Sequence, residues 1–210
     1  MSGVRCFGAV ASVVVVTVLP ARAHAYPKPW IEARAGVGVV TGQFEFEKSY
    51  DDANGQSQVA HDEDRAVGIA IALGVEGGHV FSQELALGLF ARLEVAPYLV
   101  EVKPRYSTVN GHALAAFGPA LLYRPTLSVE VRLAPEWAFA RFIGSRTDIG
   151  AYDNVFEFES VNGPGASLSA GTRWQAGWGV AASANVAVLS GAHTHFTPMS
   201  LTVLAGWSSW

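Results

Sequence analysis

Apolar residues recur at every second position in segment after segment, and this alternation constrains the chain more than any other feature. Leu85, Leu87, Leu89, Ala91, Leu93 and Val95 share one parity, while Gly88, Phe90, Arg92 and Glu94 share the other. Successive side chains of a strand point to opposite faces, so a period of two makes a strand with one apolar face. Comparable runs cover about 31–39, 66–76, 127–134, 167–174, 178–188 and 199–208. An eighth, about 112–123, is small and apolar on both faces and is interrupted by Pro119, so its phase stays open. Helical spacing is sustained nowhere beyond the first 25 residues. Segments of about ten residues match what a tilted membrane-spanning strand requires.

Half of the 210 residues are hydrophobic and 15% are charged, against about 25% in a typical soluble domain. No run reaches the roughly 18 consecutive apolar residues of a transmembrane helix. Residues 1–25 stand apart. Arg5 precedes an apolar core from Phe7 to Leu19, and Pro20 then leads to Ala23-His24-Ala25. This is the pattern of a secretory signal peptide cleaved after Ala25, with a core too short to span. Residues 26–210 then form one exported domain. Cys6, the single cysteine, leaves with the peptide, so backbone pairing and packing must hold the domain together without disulfides. Losing Arg5 and Arg22 takes the formal net charge from −4 to −6. An acidic chain with few lysines is a poor nucleic-acid binder, and none is expected.

The connections alternate in length. Long ones fall at about 42–64 and 140–165, with a medium one at 98–111 and a modest one at 190–198. Tight ones fall at 77–84, at Arg124-Pro125 and at 175–177. Long connections therefore share one end of the sheet, as in a barrel with short periplasmic turns and longer external loops. A soluble carrier barrel would alternate too, with its apolar face inward and many Lys, Glu and Thr outside. Here the second face carries Gly, Ala and Ser, which suit a crowded lumen, while Leu, Val and Ile suit lipid. The charges on that second face are Glu32, Glu76, Glu94 and Glu130 against Arg34, Arg92, Arg132 and Arg173. Four acids and four bases are expected to form a neutral ion-pair network inside a narrow lumen, where an unpaired charge is costly. The side chains of an eight-stranded barrel fill its interior, and Phe90 adds to the plug.

With its signal peptide, eight alternating strands, alternately tight and long connections and terminal Trp210, the chain resembles the small eight-stranded outer-membrane β-barrel proteins of Gram-negative bacteria. The resemblance spans the whole of residues 26–210 and implies an all-β, antiparallel, up-and-down transmembrane barrel. It also implies an outer-membrane location among lipid and lipopolysaccharide, and recognition by the outer-membrane assembly machinery. The family's assembly signal is a terminal aromatic with another aromatic two before it. Trp210 matches the first, whereas Ser208 holds the second place and Gly206 lies four before the end.

Aromatics are expected in a belt at headgroup depth: Phe44, Phe46, Phe156, Phe158, Trp137, Trp174, Trp178 and Trp207. Phe44 and Phe46 break the odd apolar parity that ends at Val39, which predicts a bulge near Thr41-Gly42. No catalytic signature is present. His193 and His195 share a direction on an extended segment, with His61 and His112 expected at the same end, yet trusted zinc spacings are missing. Ser200 lies five residues from His195 with Pro198 between, and no nucleophile–base motif results. Asp51, Asp52, Asp62, Glu63 and Asp64 make an acidic first loop lacking the calcium-loop pattern. The expectation is therefore a non-enzymatic barrel without metal or cofactor, with a structural or surface-interaction role through its external loops. A narrow channel or transporter for small or hydrophobic compounds is the alternative, and a soluble secreted carrier the second.

Overall fold

The computed structural model of the chain describes residues 28–51, 55–102, 107–146, 160–174, 177–192 and 194–210; within these, 46–51, 57–62, 99–102, 107–108 and 144–146 are described by backbone alone. The proposed signal peptide and its cleavage site lie outside the described residues. Nine strand segments follow in order: β1 (Lys28–Asp51), β2 (Ser57–Val80), β3 (Leu85–Val102), β4 (Ser107–Thr126), β5 (Val129–Arg146), β6 (Ser160–Arg173), β7 (Trp178–Ala187), β8 (Leu189–Ser190) and β9 (Thr194–Ser208). β7 and β8 are one strand of the wall, parted only at Val188, whose N–H donates to Pro164 O at 2.9 Å. Each strand pairs antiparallel with the next, and β9 closes on β1 from Glu32↔Ser208 to Phe46↔Thr194. The fold is a closed, eight-stranded, all-β barrel, which leaves no free sheet edge around its waist.

Alternation continues further than the sequence reading carried it. β1 and β2 pair without a break from Lys28↔Val80 to Asp51↔Ser57, so most of the expected loop 42–64 is strand. β9 stops opposite Phe46, while β3 follows β2 in register only up to Ile71↔Val95. Pro97, which has no N–H to donate, comes next in phase on β3. Beyond Phe46 the ends of β1 and β2 are therefore paired with each other as a two-stranded ribbon. The fourth connection also differs: the turn is at Leu127-Ser128, while Arg124 and Pro125 still belong to β4. Thr126 Oγ1 accepts from the N–H of Val129 at 3.1 Å and tightens that turn.

No bulge occurs at Thr41-Gly42, because neither the β1–β2 nor the β1–β9 register shifts there. The irregularity lies instead at Asn110. Register shifts fall between Val109 and Gly111 against β5, and between Pro97 and Val100 against β4. Gly111, at φ 152°, takes a backbone conformation that side chains disfavour. The open phase of β4 is now assigned: His112, Leu114, Ala116, Ala120, Leu122 and Arg124 are buried, and Ala115, Phe117, Pro119 and Tyr123 are exposed.

Candidate functional site

The alternation sorts residues by chemistry. Exposed positions on the wall include Val37, Val39, Val67, Ile69, Ile71, Leu73, Leu89, Leu168 and Leu201. Buried positions include ten charged side chains among the described residues: Glu32, Glu76, Glu94, Glu130 and Glu136, with Arg34, Arg92, Arg124, Arg132 and Arg173. Glu136 and Arg124 join the eight named from sequence, one of each sign, so the balance holds. Glu136 carried a usable signal, since it continues the even parity of Arg132 and Ala134 through Pro135. Arg124 was missed because it was assigned to a turn.

The interior is layered. At one mouth of the barrel the Trp30 and Trp210 rings lie 6.1 Å apart, and the Arg124 guanidinium sits 3.7 Å over Trp210. Trp210 is thus turned into the barrel mouth, while Trp207 is exposed on the wall. Above it, Arg34 bonds both Glu32 and Glu130. Arg173 donates to Glu32 at 2.8 Å and to Glu130 at 2.6 Å, and Arg124 lies 3.5 Å from Glu130. In the middle, Arg132 pairs with Glu76 at 3.2 Å and lies 5.2 Å over the Phe90 ring. Arg92 bridges Glu94 and Glu136, both at 2.7 Å. The Ser200 hydroxyl donates to Glu94 at 2.8 Å and accepts from Asn185 at 3.1 Å.

The layer toward the opposite mouth is aromatic. Phe44 stacks on Phe196 at 4.4 Å, and Phe142 meets both rings at 5.3 and 5.2 Å. His112 bonds the Tyr98 hydroxyl through Nδ1 at 3.1 Å, and its Nε2 lies 3.6 Å from Glu94. This corrects the belt assignment of Phe44: its side chain is 0% exposed and lines the lumen. The even parity of Val40, Gly42 and Phe44 faces inward without interruption, so what changes along β1 is the lining, from small to aromatic. Gly42 makes the room, since a Cβ there would lie 2.3 Å from the Phe196 ring. Tyr98 and Phe196 were missed because their segments were taken as loops, while His112 was named only as one of the histidines at that end. The bulge at Asn110 switches the inward parity from Val109 to His112, and the small apolar residues on both faces of the segment that follows hide that switch in the sequence.

Of the other belt residues, Trp137, Trp174, Trp178 and Trp207 are exposed on the outside. The Phe46 side chain, Phe156 and Phe158 lie outside the described residues, as does His193. His195 is exposed and bonds Ser190 Oγ through Nδ1 at 3.0 Å. Among the described residues no group of three or more His, Cys, Asp or Glu is arranged to hold a metal.

A cavity of about 20 Å³ lies among Glu32, Arg34, Glu76, Phe90, Arg92 and Arg132, about what one water occupies. A soluble barrel has its apolar residues inside. A closed barrel with aliphatic residues outside and paired charges inside has the organisation of a transmembrane β-barrel.

No protein-family model and no curated protein matches the sequence. Among solved structures, Neisserial surface protein A shares 12% identity at a TM-score of 0.48, over 85% of this chain and 96% of that one. The outer membrane protein OprG from Pseudomonas aeruginosa shares 11% at 0.48, over 87% and 97%. The outer membrane protease OmpT from Escherichia coli shares 9% at 0.45, over 85% and 96%.

Proposed function

We propose that this protein is an outer-membrane β-barrel of a Gram-negative envelope, exported by residues 1–25, with a lumen closed to solutes and a structural or surface-interaction role at its outer end. One observation carries this reading: the ion-pair layer lies between the Trp30–Trp210 pair and the Phe44–Phe196–Phe142 cluster. An ion crossing would have to part buried charge pairs that cost several kcal/mol to separate. The paired outer ends of β1 and β2 are then an element offered to a partner. The barrel is taken as non-catalytic, since Ser200 faces Glu94 and His112 faces Tyr98 rather than each other. Trp210 is the aromatic offered to the assembly machinery before its ring packs into the mouth. The test is planar-bilayer recording of the refolded protein. Silence is expected, and a reproducible conductance step would overturn the closed lumen.

A second reading, a lateral path for small hydrophobic compounds, is favoured by one seam. β4 and β5 pair at Phe117↔Trp137 and again at Leu121↔Leu133, with no pairing between. The same register sets Pro119 opposite Pro135, and neither can donate a ladder bond. Behind the seam lies the Arg92–Glu136 pair. Restoring both donors with Pro119→Val and Pro135→Val should slow uptake of an apolar fluorophore, N-phenylnaphthylamine, into protein-bearing vesicles. An unchanged rate would remove this reading.

A further inference from the structure

The outer wall is not uniformly convex. A depression of about 500 Å³ runs across it, lined mainly by apolar side chains. The registers explain its course. Thr41, Met199 and Val186 lie side by side on β1, β9 and β7, and Val39, Leu201 and Ala184 form the next row inward. The depression follows the channel between these rows, at right angles to the strands. It begins at Val67 on β2 and ends at Leu133 on β5, five strand spacings away, or about 24 Å. Val67 lies in the outer part of β2, whereas Leu133 lies close to the turn at Leu127-Ser128. The groove therefore descends obliquely from the outer rim toward the periplasmic side. Small residues such as Ala184 and Ala166 make its floor.

Its outer end is polar. Gln43 and Arg65 form the next outward pair beyond Thr41 and Val67, with the half-buried Thr197 beside Gln43. Arg65 is exposed. Glu45 and Glu63 oppose each other one pair further out, with His195 next to Glu45. An apolar trough headed by a guanidinium matches a molecule with a long alkyl chain and an anionic head. Because the trough is continuous with the lipid-facing wall, its occupant comes from the bilayer. Carboxylates beyond Arg65 hold a negative head on the membrane side of their row.

We propose that this groove is an ordered binding site for a phosphate-bearing lipid of the outer leaflet, with one acyl chain between the Thr41 and Val39 rows and the phosphate at Arg65. Arginine binds phosphate through paired, charge-assisted hydrogen bonds, which gives the site its head-group preference. The proposal uses the membrane setting and is independent of whether the lumen conducts.

Native mass spectrometry of the full-length protein, refolded in detergent with added dimyristoyl phosphatidylglycerol or dimyristoylglycerol, tests it. One retained phosphatidylglycerol is expected, preferred about tenfold over the diacylglycerol. Arg65→Gln should abolish the preference while keeping weak retention of both. Ala184→Phe, which fills the trough from its lipid-facing side, should abolish retention of either. Heat-modifiable gel migration checks that both variants are folded. Equal retention by the wild type and both folded variants would overturn the proposal. A dimer that Ala184→Phe dissolves, with no lipid retained, would overturn it in favour of a second copy.

Discussion

Glu130→Gln is the sharpest test of the buried charge network. Glu130 accepts from Arg34, takes two bonds from Arg173 at 3.1 and 2.6 Å, and lies 3.5 Å from Arg124. Neutralising it leaves five buried arginines facing four carboxylates among the described residues, with Glu32 the remaining acid within reach of Arg34 and Arg173. Removing one partner of a buried ion pair costs about 3–5 kcal/mol, since the other charge stays desolvated. That is a large share of a stability of about 5–15 kcal/mol. Adding Arg124→Gln restores neutrality, so the double variant should be more stable than the sum of the two single losses predicts. Urea unfolding in phospholipid vesicles, followed by tryptophan fluorescence and by heat-modifiable migration, measures all four corners of the cycle. Glu84→Gln, at an exposed turn, should leave the transition where it was. The reasoning fails if Glu130→Gln unfolds within about 0.5 kcal/mol of the wild type, or if the two substitutions simply add.

Three further outcomes follow from the packing. Phe196→Ala removes the ring that stacks on Phe44 and meets Phe142 and His112; it should cost about 3–5 kcal/mol in the same assay, while leaving bilayer conductance silent because the ion-pair layer remains. Gly38→Val would place a Cβ 2.0 Å from Leu201 O and 2.6 Å from Thr202 Cα across the closing seam; a loss of about 3 kcal/mol or more is expected, read as failure of the heat-modifiable form to appear. Trp210→Ala strips the ring packed between Trp30 and Arg124. It should lower the unfolding midpoint in vitro and reduce the amount of folded barrel in cells by more than that destabilisation explains, whereas equal losses in both would confine Trp210 to packing.

The inside–outside pattern was legible because β structure repeats every two residues. Wherever a strand stayed in phase, parity alone separated Val39 from Arg34 and Leu93 from Glu94. It failed in two kinds of place. Where both parities are small and apolar, as around Ala113–Ala116, composition has no contrast to offer, and the partner strands set the phase. Where the lining changes character along one strand, parity was misattributed: Phe44 looked lipid-facing because aromatic residues were expected outside. Its inward position follows from its neighbours, since Gly42 and the facing Phe196 leave a space that only a packed interior defines.

Strand number, wall polarity and the neutral sum of interior charge are properties of the linear chain, because each depends only on local period and residue type. The pairing of particular charges is not. Arg34 and Glu130 are 96 residues apart, Arg173 and Glu32 are 141 apart, and Ser200 and Glu94 are 106 apart. Such contacts depend on the shear with which β9 closes on β1, a quantity set by all the registers together. The oblique groove has the same origin. Thr41, Met199 and Val186 are unremarkable on their own strands, and they become one row only when the barrel closes and its stagger brings them level.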